Sequence, residues 1–200
     1  IGGHRVHPFV AMNAAFLADA AFVHVPDGVV LSEPPPVVHV ADGSSGPAAS
    51  HPRVLVSLGE NAQATVVEAY CGTGEAFVNA ATEIVLGPHA HLDHATLQEE
   101  SPEAFHVGTA EAHLGPGAQL FGHVLSVGGA LVRNEMTVRL HGDGAGATLD
   151  GLFLARGSQQ VDNHTLLDHA RPHGGSQQYY KGILDGEARG AFDGRVIVRP

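Results

Sequence analysis

"VLGPHAHLD" (85–93) lies 28 residues after "SLGENAQAT" (57–65) and 28 before "HLGPGAQLF" (113–121); "RLHGDGAGATL" (139–149) follows after a further 26. Leu58, Leu86, Leu114 and Leu140 hold equivalent places in the four segments, and Ala62, Ala90 and Ala118 each follow four residues after a leucine. Self-similarity at 26–28 residues is the mark of a solenoid, in which each unit buries its apolar side against the next. The leucines are expected to stack from coil to coil inside, with the alanines where the chain turns inward without bulk.

The flanking residues agree. "RVLVSL" (53–58), "EIVL" (83–86), "MTVRL" (136–140), "LFLA" (152–155) and "RVIV" (195–198) read as short strands, rich in β-branched residues and bounded by glycine. Helical spacing is persuasive only in "FVAMNAAFLADAA" (9–21). Beyond it, "VVLSEPPPVVHV" is extended by its prolines, and "ADGSSGPAASHPR" (41–53) has the chemistry of a loop or a disordered segment. The expected organisation is a lead-in over 1–52 followed by an all-β parallel solenoid over 53–200.

Composition excludes several classes. Ten Lys and Arg against 21 Asp and Glu leave a formal charge of −11, which disfavours gripping nucleic acid or an anionic membrane. No run approaches the roughly 20 apolar residues of a membrane span, and "IGGHRVHPFVAMNAAF" lacks signal-peptide character. A single cysteine, Cys71, excludes an internal disulfide framework and fits a reducing compartment, so the cytoplasm is expected. Unpaired with a second cysteine, Cys71 reads as an inert small hydrophobe.

The repeat also bears on the histidines of "HAHLDHATLQEE". Imidazole and carboxylate are common ligands of zinc and iron, and His89, His91 and His94 suggest a metal-dependent, cupin-like β-fold enzyme. Yet His89 and His91 occupy the slots of Asn61 and Gln63 one coil earlier and of Gly117 and Gln119 one coil later. Slots so permissive are expected to face solvent, and no metal is expected there. His94, whose slot holds Val66 and Gly122, is expected to be a hydrogen-bonded core histidine. A cupin also wants a glutamate four or five residues past the His-x-His pair, where this chain has Ala95 and Thr96. A β-helical acyltransferase would need hexapeptide periodicity, which a 26–28 repeat does not supply.

The C-terminal third is the most distinctive: "RGSQQVDNHTLLDHARPHGGSQQYYKGILDGEARGAFDGRVIVRP" (156–200). Strand alternation puts His164 and His169 on opposite faces, so Asp162, His164, His169 and His173 are expected to form a polar ladder rather than a mononuclear site. The ordered set Gln159, Asp162, Thr165 and His169, then Ser176, Gln178, Tyr180, Lys181, Gly182, Ile183 and Leu184, then Phe192, Gly194, Arg195 and Val198 resembles the core domain of the SufB/SufD family of the SUF iron–sulfur cluster assembly system. "FVAMNAAFLADAAFVHVPDGVVL" resembles that family's lead-in through Asn13 and Asp19, and the "DNHT" and "YKGIL" wording is similar to SufD rather than SufB.

The resemblance implies a right-handed parallel β-helix and a non-catalytic scaffold. It also implies pairing with SufB, binding of the SufC ATPase and an iron–sulfur cluster formed transiently in the full complex. No cofactor is expected to be bound by this chain itself. Family members are longer and carry a later Cys-x-His-Gly segment, so the chain is expected to be a fragment or a truncated gene product. None of the family's established functional residues transfers to it. Interface candidates are Asp162, His164, Thr165, His169, Ser176, Gln178, Tyr180, Lys181 and Gly182, with Lys181, the only lysine, expected to be held by partners.

Overall fold

A computed structural model describes residues 7–199; residues 1–6 and Pro200, which fall within the expected lead-in and solenoid, lie outside the described residues. The chain forms a parallel β-solenoid of about six turns, preceded by one short helix, α1 (Pro8–Ala15). Twelve strands follow: β1 (Ala21–Val25), β2 (Pro36–Ser50), β3 (Arg53–Leu58), β4 (Gln63–Leu86), β5 (His91–Glu99), β6 (Phe105–Leu114), β7 (Gln119–Ser126), β8 (Leu131–Leu140), β9 (Gly146–Ala155), β10 (Gln160–His169), β11 (Gly175–Leu184) and β12 (Arg189–Val198).

Hydrogen bonding follows the order β11-β9-β7-β5-β4-β6-β8-β10-β12, with every paired neighbour parallel. This path defines two walls. Wall A holds β5, β7, β9, β11 and the first half of β4; wall B holds β6, β8, β10, β12 and its second half. The 24-residue β4 bends from one wall to the other.

The leucine ladder forms as expected. Leu58, Leu86, Leu114 and Leu140 are register partners in succession, each no more than 2% exposed. Val25 precedes them opposite Leu58, and His169 follows opposite Leu140. Ala62, Ala90 and Ala118 are fully buried at the adjoining corner, and Ala145 continues their column.

That corner explains the slot filled by His89. Gly28, Asn61, His89, Gly117, Gly144 and His173, one per coil, all have φ between 56° and 70°. Left-handed backbone is open to glycine and tolerable for asparagine or histidine, whereas β-branched residues are strained there. His89 is therefore exposed, as expected, but its slot is selected by backbone conformation and is not permissive in general.

Three expectations are corrected in the lead-in. The helix ends at Ala15 rather than near residue 21, and residues 21–25 already form strand β1 against β3. The loop-like "ADGSSGPAAS" belongs to β2, which pairs with Gly72–Val78 of β4 across a register break between Gly43 and Ala48. The sheet thus begins well before residue 53, because on either side of that break the next coil offers backbone partners to a segment with weak strand propensity of its own.

Candidate functional site

Alternation along each strand sends every second side chain into the solenoid, and parallel register stacks these into columns. One flank of the interior is the leucine and alanine column set. The other flank is polar, and one of its members, His94, is the hydrogen-bonded core histidine that was expected.

Two buried carboxylates organise it. Glu68, 1% exposed, accepts a hydrogen bond from His94 Nε2 at 2.7 Å and others from Tyr70 Oη at 2.8 Å and Thr82 Oγ1 at 2.9 Å. Burial pushes this carboxyl up, but the hydrogen bond and charge of His94, with the Tyr70 and Thr82 hydroxyls, hold it below the ordinary carboxylate range. Burial and the Glu68 charge in turn push the Tyr70 phenol well above its usual value. Glu100 pairs with His106 Nδ1 at 3.0 Å and accepts from Gln98 Nε2 at 2.6 Å. Tyr70 links the two groups, its ring meeting His106 edge-on at 5.0 Å.

Further along the axis, Asn134 donates to Ser126 Oγ and to Asn163 Oδ1. A cavity of about 60 Å³ separates the asparagines from the glutamate–histidine pairs, in part because Gly108 and Gly122 bring no side chain to it. Asn163 Nδ2 is buried without a partner among the described residues. The site is thus a polar axis in which each buried acid is already saturated by donors. Such a network specifies coil register and rigidity; it offers no free carboxylate or nucleophile.

The three clustered histidines do not converge. His89 and His91 point into solvent at the corner, while His94 points inward to Glu68. Among the described residues no group of three or more His, Cys, Asp or Glu side chains is arranged to hold a metal ion, and the cupin-like reading is not favoured. Cys71 is half-buried, its sulfur 3.7 Å from the His39 carbonyl oxygen.

The C-terminal motif splits between the two sides of the walls. Thr165 donates across the interior to Gln178 Oε1, and His169 Nε2 lies 2.9 Å from Ser176 Oγ, so two pairs of motif residues tie wall B to wall A. Tyr180 stacks on Phe192 at 4.5 Å, and burial, with the charge of Asp150, pushes its phenol up to about 12. Gly182 lies where a Cβ would approach Phe153 Cζ to 2.3 Å.

Asp162 and His164 face outward on wall B, Asp162 accepting from Gln160 Nε2 at 3.0 Å. Lys181 corrects its expectation: it is exposed on wall A with no side-chain partner among the described residues. Beside them on wall B, Asp168 is gripped by Arg199 at 2.7 and 2.8 Å and by Arg139 at 3.4 Å, which hold its carboxyl below the ordinary range.

Comparison with known proteins gives one consistent answer. The family model for the SUF system FeS cluster assembly SufBD core domain matches residues 39–200. An iron–sulfur cluster assembly SufBD family protein of Mycobacterium tuberculosis is 30% identical over 205 residues, covering 99% of this chain and 51% of that protein. Escherichia coli SufD is 26% identical over 194 residues, covering 95% and 46%. A SufBD family protein of Synechocystis is 27% identical over 200 residues, covering 95% and 44%. The chain spans about half the length of the curated relatives it matches.

Proposed function

The chain belongs to the SufBD core family of the SUF system, and from that premise we propose that it is a SufD-like, non-catalytic scaffold component of iron–sulfur cluster assembly. The observation that carries this reading is the saturated interior. Glu68 and Glu100, the buried acids that an enzyme would use, are consumed by His94, Tyr70, Thr82, His106 and Gln98. A rigid β-solenoid whose buried acids are already hydrogen-bonded suits the holding of other subunits in place more than it suits chemistry on a small substrate.

In this reading the protein pairs with SufB, works with the SufC ATPase, and meets the iron–sulfur cluster as transient cargo rather than resident cofactor. Asp162, His164 and Lys181, displayed on the last two coils, are the side chains assigned to the SufB contact. Thr165, His169, Ser176, Gln178, Tyr180 and Gly182 support that surface from within.

Co-expression of the intact protein with SufB and SufC of its own organism tests the proposal. A co-purifying complex that forms more cluster than SufB and SufC alone is expected, with recovery reduced by Lys181→Glu at unchanged thermal stability. Normal cluster yield and no co-purification would remove the scaffold reading.

A further inference from the structure

One coil of the interior carries less side chain than its neighbours. In wall B the inward column reads Ala80, Gly108, Asn134, Asn163. In wall A it reads Val66, His94, Gly122, Leu149, Gln178. Gly108 and Gly122 belong to β6 and β7, consecutive strands of one coil, so both walls drop to glycine at the same level. Neither has a positive φ, and extended backbone admits any residue. A glycine inside a strand weakens it, and where the backbone does not require one it marks a place that something else approaches closely. The cavity of about 60 Å³ is lined by both.

Polar atoms converge on that room. A Cβ on Gly108 would stand 2.9 Å from His106 Nε2 and 3.4 Å from Asn134 Oδ1, so both atoms turn toward the space the glycine leaves. Glu100 engages the other ring nitrogen of His106, and because a carboxylate only accepts, the proton of that contact sits on Nδ1. In the neutral ring Nε2 is then an acceptor. Asn134 Oδ1 is a second acceptor, its amide nitrogen already given to Ser126 and Asn163. Asn163, 3% exposed and in the same lining, brings the complementary group, a donor Nδ2 buried without a partner among the described residues.

We propose that this cavity is a built water site, in which a small cluster of ordered waters joins the glutamate–histidine pairs to the asparagines. The occupant has to donate to Nε2 and Oδ1 and accept from Nδ2. An anion would face two lone pairs and a cation would face an amide N–H. Water does both, and makes the three hydrogen bonds typical of a buried water. At roughly 15–30 Å³ each, the volume takes about two to four waters. Through them the polar axis runs unbroken from Glu68 to Asn163, and the Asn163 amide gains the acceptor that a buried donor requires. The site does not depend on the scaffold reading, since every group in it belongs to the interior of this chain.

The test is oxygen-17 magnetic relaxation dispersion of the intact protein, which counts waters held for longer than the protein tumbles, beside the same measurement on Gly108→Ala. The added methyl stands between His106 Nε2 and Asn134 Oδ1. The variant is expected to lose at least one such water, with its far-UV circular dichroism unchanged. Should Gly108→Ala fail to fold, a crystal structure of the unaltered protein under xenon pressure decides in its place. Water density on His106 Nε2 and Asn134 Oδ1, with no xenon beside them, is expected, because xenon enters dry apolar cavities. Equal water counts in the two folded proteins overturn the proposal. So does xenon in the cavity, or a metal ion or organic molecule bound between the two acceptors.

Discussion

His89 shows how a residue that suggests chemistry is chosen by backbone geometry. Its φ of 56° places it in a column with Asn61, Gly117 and His173. Glycine loses no contact there, whereas a β-branched side chain must enter left-handed space at about 1–2 kcal/mol. His89→Gly is therefore expected to leave stability within about 0.5 kcal/mol or raise it slightly, and His89→Val to lower it by about 1–2 kcal/mol, read from urea midpoints. His91→Gln, in extended backbone and exposed, should change little.

Glu68 is the opposite case, a carboxylate chosen by its surroundings. Held below its ordinary value of 4.5, it contributes stability that is fully present above that pH and is lost as pH falls through the folded value. The urea midpoint should thus fall on acidification below about pH 4.5. Glu68→Gln should flatten that acid limb while lowering stability near neutrality, because the amide keeps only one of the two acceptor oxygens that His94, Tyr70 and Thr82 share and turns the other into a donor.

At the scale of strands, the leucine ladder and the five short apolar runs were legible because a coil repeats its register every 26–28 residues. The strand character of β2 was not, since Ala41 to Gly43 and Ala48 to Ser50 have little preference for extended backbone and pair with β4 only on either side of a break that leaves Ser44 to Pro47 without register partners. The polar axis was hidden for a related reason. Glu68 and His94 are 26 residues apart, and nothing near either names the other until the coils are stacked. The C-terminal motif was visible as a pattern, yet its cross-wall bonds were not, because Thr165 and Gln178 meet only when β10 and β11 face each other.

Gly182 illustrates the coupling between such elements. Phe153 occupies the space its side chain would need, one coil away. Gly182→Val should cost about 1–3 kcal/mol by overpacking, and Phe153→Ala about 3–5 kcal/mol by leaving a cavity. The double variant should be more stable than the sum of the two predicts, and a denaturant double-mutant cycle measures the difference.

For the whole molecule, the consequence of a solenoid is that each coil touches only its neighbours. Stability is then close to a sum of coil terms and nearest-neighbour contacts, and opening begins at the ends. The N-terminal side is reinforced: Asn13 of α1 donates to the carbonyls of Pro52 and Asn79 and accepts from Arg53, while His7 pairs with Glu135 two coils further on. At the other side, Tyr179, Ile183, Leu184, Val196 and Val198 of β11 and β12 are between 48% and 76% exposed. In the 200-residue chain by itself, amide hydrogen exchange should accordingly be slowest in β5 to β8, intermediate in β3 and β4, and fastest in β11 and β12. Asn13→Ala should accelerate exchange in β3 and the second half of β4 while leaving β9 to β12 unchanged, because no contact carries the loss that far. Uniform exchange along all six coils, or acceleration of β11 by Asn13→Ala, would show instead that the solenoid opens as one cooperative unit.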